Sequence, residues 1–383
     1  SKHLRSPFRK KHLKRHLLHV LASRMSAVFL LAVSACERSA AIPSAGHTEI
    51  WRIAIEEVPG SVQDTYAQKF KELIEVRTAG AVQVIVYPYG SLGTSDQVTE
   101  LLHMGAIQFA MASPGHLGKL IPEIQLLLLH FIFSEDNEVN KAVLGKGRPL
   151  HDNFATLYRQ KGLRLLALYP EGWQVWTTKK PIRHLDDFRG LKMRVMTSPL
   201  LIEAYKAYGA NPTPLPYGEV YSALQLNMID GQVNPLFAIE EMSFYEVAEY
   251  MTFAKHAQFI TSVVMNPQFF RSLSSEKQRL LDNVIADLHD YIFTVQKTFN
   301  AERLEKMKAR KPGLHLQYLL EEERERFKKA SLAARQKYIE LVGPTGAELL
   351  QQLLDDVAAA EAQRHFALGN TAGLSSSTLT LQP

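Results

Sequence analysis

"LPYGEVYSALQLNMIDGQVNP", residues 215–235, packs an extended entry, a helix and a strand end into 21 residues. Leu215 precedes a proline, which holds it away from helical geometry. "GEVYSALQLNM" is helical. "IDGQVNP" is a turn followed by a strand end, and Asn234 stands just before Pro235, where the chain cannot continue as a central strand. Upstream, "LKMRVM" (residues 191–196) is a strand with Arg194 set between Met193 and Val195. A helix over 198–208, ended by Gly209, joins the two.

The same grammar runs through the front of the chain. "TEIWRIAIEE" (48–57) alternates as a strand should, and Gly60 breaks it. Tyr66, Phe70, Leu73 and Ile74 then fall at helical intervals until Gly80. "AVQVIVYPYG" is a second strand. A helix over about 95–104, capped by Ser95 or Asp96, follows, and "IQFAMAS" is a third strand. Strand–helix alternation implies parallel strands with helices packed on the sheet faces. A helix is expected over 135–161. "LRLLALYPEGWQVWTTKKPI" (163–182) is a long strand interrupted at "PEG", long enough to pass from one lobe into another. Strand signal returns in "YMTFAKH" and "QFITSVVMNP". Residues 267–310 and 320–362 are helical, the former with a break near "SLSSE".

A chain of 383 residues exceeds one ordinary core and implies two lobes. With 46% hydrophobic and 22% charged residues it is globular in composition. The net charge of +5 comes from the leader. Residues 1–36 hold eight Lys or Arg and no acid, so residues 37–383 carry 36 basic against 39 acidic side chains. No basic stripe with interleaved aromatics occurs in that body, which argues against nucleic-acid binding. The leader runs from charged to apolar to small residues, ending "VSAC", the order of an export signal. Its apolar stretch is too short to span a bilayer. Cys36, the only cysteine, sits where a lipobox would place a lipidated residue. An ordinary cleavage site beside an incidental cysteine is the alternative.

No phosphate-binding glycine loop, metal-ligand spacing or nucleophile elbow is present, so the sequence supports neither a cofactor nor a metal nor an enzymatic activity. Two side chains carry candidate binding chemistry. Arg194 offers a two-pronged donor that matches a carboxylate. Its other reading is an internal salt bridge, to Glu219 or Asp230. Asn234 can both donate and accept, for a ligand or for capping a turn. Tyr217 could supply an aromatic face.

The order "LKMRV", "NPTPLPYGEVYSALQLNMIDGQVNPLFAI" and "FYEVAEYMTFAKH" closely resembles the substrate-binding proteins of TRAP transporters, the DctP-type family. "YPYGSLGTSDQVTELLHMGAIQFAM" fits the front half of that family more loosely. The resemblance covers residues 48–345. It implies an α/β fold of two lobes, periplasmic binding protein-like, with crossover strands and a long bracing helix. Residues 48–170 would form mainly the first lobe and 171–266 mainly the second, with a return strand. Residues 267–311 would be the connecting helix, 312–363 a C-terminal helical region and 364–383 a flexible tail, behind the leader over 1–36. It further implies a periplasmic receptor that closes on a small organic anion and delivers it to a membrane permease. Arg194 inherits the grip on the ligand carboxylate, Asn234 a ligand contact and Tyr217 the pocket wall.

Residues 171–178, "EGWQVWTT", depart from the family frame, because Gln174 stands where a second Arg is common. Alternation puts Gln174 and Trp176 on one face, toward the cleft, and Trp173 on the other, in the core. A neutral hydrogen bond in place of a charge-assisted one weakens carboxylate binding by about one to two powers of ten. The expected ligand is therefore less anionic and more hydrophobic than a dicarboxylate: an aromatic or branched monocarboxylate, or a lipid-like molecule. A ligand sensor of the same fold is the alternative function. Some relatives also pair with helical-repeat periplasmic partners. The run "EEERERFKK" (321–329) is a candidate for such contact or a solvated helix face.

Overall fold

The computed structural model describes residues 48–376, with side chains to Leu368. The leader, Cys36 and residues 377–383 lie outside the described residues. No described helix is long and apolar enough to cross a membrane.

Strand β1 (Glu49–Ala54) buries Trp51 and Ile53. Helix α1 (Val62–Arg77) begins at Ser61, whose hydroxyl accepts the Asp64 N–H at 3.0 Å, and it buries Tyr66, Phe70 and Ile74. Strand β2 (Val82–Tyr87) follows. Helix α2 (Ser95–His103) is capped one residue earlier than its sequence suggested, by a reciprocal box between Thr94 and Gln97. Strand β3 (Phe109–Ala112) is wholly buried. β1 pairs in parallel with both β2 and β3. The single helix expected over 135–161 is two, α3 (Asn137–Leu144) and α4 (Pro149–Gln160). Gly147 at φ +78° turns the chain between them, and Pro149 suits only a first helical turn.

Strand β4 (Arg164–Thr178) carries the architecture. β5 (Lys192–Val195), α5 (Pro199–Lys206), β6 (Asn211–Pro214), α6 (Val220–Gln225), β7 (Gly231–Pro235) and α7 (Leu236–Glu241) form the second half. β8 (Tyr250–Phe253) and β9 (Gln258–Met265) complete it. Up to Trp173, β4 runs antiparallel to β9, which continues antiparallel to β3. From Gln174 onward β4 pairs instead with β7 and β8. The strand order is β2-β1-β3-β9-β4-β7-β5-β6, with β5 parallel to both β6 and β7. Each half mixes parallel and antiparallel pairs, and the two halves share β4.

After α8 (Pro267–Ser272), helix α9 (Ser275–Arg310) runs 36 residues, about 54 Å. Near its start Lys277 pairs with Glu49; near its end Arg310 pairs with Glu240 at 2.7 Å. The helix therefore braces both halves. β10 (His315–Tyr318) adds to β8 in parallel. Helix α10 (Glu321–Val342) buries Phe327; Arg326 pairs with Glu323 along the helix at 3.0 Å, while Arg324 reaches off it to Glu135 at 2.8 Å. Helix α11 (Pro344–Ser376) extends past the start of the expected tail, and Arg364 pairs with Asp136 at 3.1 Å.

Candidate functional site

Side chains at the carboxyl ends of strands in both halves converge on one cleft. Glu56 and Glu57 follow β1, Tyr89 follows β2 and Ser113 follows β3; Met196 follows β5 and Tyr217 follows β6. Parallel sheets place ligands at these ends, where strand order leaves a crevice. The cleft encloses about 30 Å³, room for roughly two waters, and Arg194, Asn234 and Phe259 complete its wall. A second space of about 20 Å³ shares Ser113, Met196 and Phe259 with the first and reaches Gln174 and Tyr205. A ligand of any size enters only when the walls part.

Arg194 is 2% exposed, and its Nε and one terminal nitrogen both donate to the Leu215 carbonyl, at 3.0 and 2.8 Å. Among the described residues it forms no ion pair. Asp230 caps the Lys192 N–H instead, at 2.8 Å, so the internal salt bridge open on sequence grounds is absent. Burial pushes the guanidinium down to about 10, offset only in part by Tyr217 and Tyr89. A carboxylate arriving in the cleft would find a pre-set, poorly solvated cation.

Asn234 is held by a relay. Its amide donates to Gln232 at 2.7 Å, and Gln232 donates to Thr177 at 3.0 Å. Its amide is thereby oriented and its oxygen has no recorded donor. Tyr217 meets Tyr89 edge-on at 5.8 Å across the cleft mouth, where the Gly218 N–H also donates to the Tyr89 hydroxyl at 3.3 Å.

The opposite wall is acidic. Glu56 accepts the Ser113 N–H at 3.0 Å and contacts His116 Nδ1 at 2.9 Å. Glu57 accepts the Gln63 N–H at 3.1 Å, and burial raises its carboxyl above the usual range. The cleft therefore presents a cation at one end and carboxylates at the other. These acids were not singled out in the sequence. The signal was there: "EE" directly follows an apolar strand and precedes a glycine break.

Neither tryptophan lies where alternation placed it. Trp176 is fully buried, donates from its indole to the Tyr205 hydroxyl at 3.0 Å, and packs on Phe188, His256 and Phe327. It stands behind the cleft, bonded to Tyr205 and paired with Val233, both of which line the inner space. Trp173 is half-buried and lines a groove of about 450 Å³ on the other side of β4, with Leu236, Leu304 and Tyr318. Gln174 reaches both the inner space and this groove. The groove is the larger cavity, but its charges neutralise each other, Lys255 and Arg324 both reaching Glu135 at 2.8 Å. The smaller cleft holds the unmatched charge.

A family model, bacterial extracellular solute-binding protein, family 7, matches residues 53–341. The chain is 40% identical over 328 residues to the ectoine/5-hydroxyectoine-binding periplasmic protein UehA of Ruegeria pomeroyi, covering 86% of this chain and 96% of that one. It is 39% identical over 320 residues to the ectoine-binding periplasmic protein TeaA of Halomonas elongata, covering 84% and 93%. The solved ectoine-binding protein of that organism superposes with a TM-score of 0.78 at 40% identity, over 81% of this chain and all of that one. An apo open TRAP periplasmic solute-binding protein from Marinobacter aquaeolei gives 0.76 at 44% identity, over 80% and 99%. The two-lobe fold is that of these receptors, and the chain belongs to family 7 of the bacterial extracellular solute-binding proteins, the periplasmic receptors of TRAP transporters.

Proposed function

We propose that this receptor binds a small zwitterion of the ectoine class, a ring bearing a delocalised amidinium and a carboxylate, and presents it to its TRAP permease. The observation that carries this reading is the pairing within one cleft of an unpartnered buried Arg194 with the carboxylates of Glu56 and Glu57. A dicarboxylate would meet one cation and then two acids, a like-charge encounter that opposes binding. A zwitterion matches both ends, and the apolar bodies of Met196, Phe259 and Tyr217 suit a ring between them. The names of the relatives from Ruegeria and Halomonas support the class. Arg194 would hold the carboxylate, Glu57 the amidinium, Asn234 a polar edge, and Gln174 the inner end.

Calorimetry on refolded, ligand-stripped protein tests this. Ectoine and 5-hydroxyectoine are expected to bind at least about a hundred-fold more tightly than succinate or malate; the reverse order overturns the proposal. The proposed anchor is separate: Cys36 carries a lipid and becomes the mature N-terminus, which intact mass of protein from membranes of an exporting host reads directly.

A further inference from the structure

Glu171 lies behind the cleft wall, fully buried on the crossover strand immediately before Gly172 and bonded to the lining residue Gln63. One of its carboxyl oxygens accepts the Gln63 side-chain amide at 2.8 Å; the other, Oε2, has no donor in the structure. Gln63 is the node of the acidic wall. Its backbone N–H goes to Glu57 at 3.1 Å, its side-chain oxygen takes the Glu56 N–H at 2.7 Å, and its side-chain N–H goes to Glu171. The Glu57 and Glu171 carboxyl groups come within hydrogen-bonding reach of each other. Two carboxylates in contact, one with a buried orphan oxygen, are satisfied only if one carries a proton that the other accepts.

We propose that Glu171 is a positioning residue for the ligand: held protonated, it donates from Oε2 to Glu57 and so fixes one oriented negative charge at the cleft wall. This rests on reading the cleft as a zwitterion site. The surroundings favour it. Glu56 and Glu57 at the end of β1, Glu241 on α7 and the hydroxyls of Tyr66, Tyr169 and Tyr217 surround this pair, and among the described residues no cation pairs with Glu57 or Glu171. Arg194 acts through Tyr217 at the far wall, and Arg303 meets Glu241 at 3.3 Å from α9. Burial and then Glu57 raise the Glu171 carboxyl well above its usual value of 4.5.

The sign of the linkage follows. A carboxyl raised in the folded state binds its proton more tightly there than in the unfolded chain. Its stabilisation is complete below about pH 4.5 and is lost as pH rises toward the folded value. Glu171→Gln keeps a donor toward Glu57 but cannot titrate. Its urea stability should lose less with rising pH than the wild type, by up to one proton in slope between pH 5 and 8. Its ectoine affinity at pH 7 should stay within about three-fold. Glu171→Leu, which has no donor, should weaken ectoine by about ten- to a hundred-fold. An unchanged pH slope in Glu171→Gln, or a ten-fold loss of affinity in that variant, overturns the proposal. So does the absence of any protonated-carboxyl infrared band from wild-type protein at pH 7, a measurement that needs no variant. If ectoine fails to bind the wild type, the ligand reading falls, while the pH slope and infrared band still test the shared proton.

Discussion

Arg194 shows how a single residue can be built for an absent partner. Its strand neighbours Met193 and Val195 are fully buried, so the guanidinium has one direction left, toward the cleft. It is tethered only by the Leu215 carbonyl. The consequence separates binding from folding. Arg194→Gln keeps an amide donor for that carbonyl and removes a charge that no acid stabilises. Ligand-free stability in urea should change by less than about 1.5 kcal/mol. Affinity for a zwitterionic ligand should fall at least about 30-fold, as it does when one member of a buried charge pair is truncated. Parallel losses in both would mean that Arg194 is a structural ion. The sequence revealed this residue because a cation between two apolar strand positions has few explanations. It revealed Asn234 through the adjacent Pro235. Glu57 was harder to find: a charged pair at a strand end is common, and only the fold shows that this end faces the end of β5.

At the scale of elements, β4 decides most. Its "YPEGWQV" segment combines a register shift, a positive-φ glycine and the handover from β9 to β7. Gly172 sits at φ +146°, and a Cβ there would stand 2.5 Å from the Asn300 amide nitrogen. That amide donates to the Glu171 carbonyl at 2.8 Å, and its oxygen accepts the Phe237 N–H at 3.1 Å. One asparagine of α9 thus pins the crossover to α7. Gly172→Ala should break both bonds and strain the backbone, costing about 2–4 kcal/mol in urea unfolding; a loss under 0.5 kcal/mol would show that the crossover relaxes freely. The long strand and its interruption were legible from the run of apolar residues around "PEG". That neither tryptophan lines the cleft was not, because alternation gives the face of a side chain and not how far along the strand the cleft extends. The parallel pairs β1–β2 and β1–β3 followed from strand–helix alternation. The antiparallel partners β9–β3 and β9–β4 did not, since they join segments about 90 to 160 residues apart and no local pattern encodes them.

Across the whole molecule, access to so small a cleft depends on how the halves are held. Ties cross it at the mouth, through the middle and behind. Tyr89 meets Tyr217 and Gly218 at the mouth, β4 runs through the middle, and α9 lies behind. Arg303 is the point on α9 that touches both halves. It pairs with Glu240 on α7, approaches Glu241 at 3.3 Å, and donates to the Gly60 carbonyl in the loop after β1 at 3.0 Å. Its guanidinium also lies 4.4 Å over the Phe299 ring, which fixes its direction. Arg310 pairs with Glu240 independently and Lys277 still pairs with Glu49, so loss of Arg303 leaves α9 attached to both halves while its bond to the Gly60 loop, next to α7, is cut. Arg303→Ala should therefore favour the open form without unfolding the protein. Each ten-fold drop in the closed population weakens apparent affinity ten-fold. The expected signature is a larger radius of gyration by X-ray scattering in the ligand-free variant, restored to the wild-type value by saturating ligand, with affinity about ten-fold weaker. Unchanged scattering with weakened affinity would instead place Arg303 among the ligand's own contacts. Unchanged values of both would leave the closed cleft to the tyrosines at its mouth.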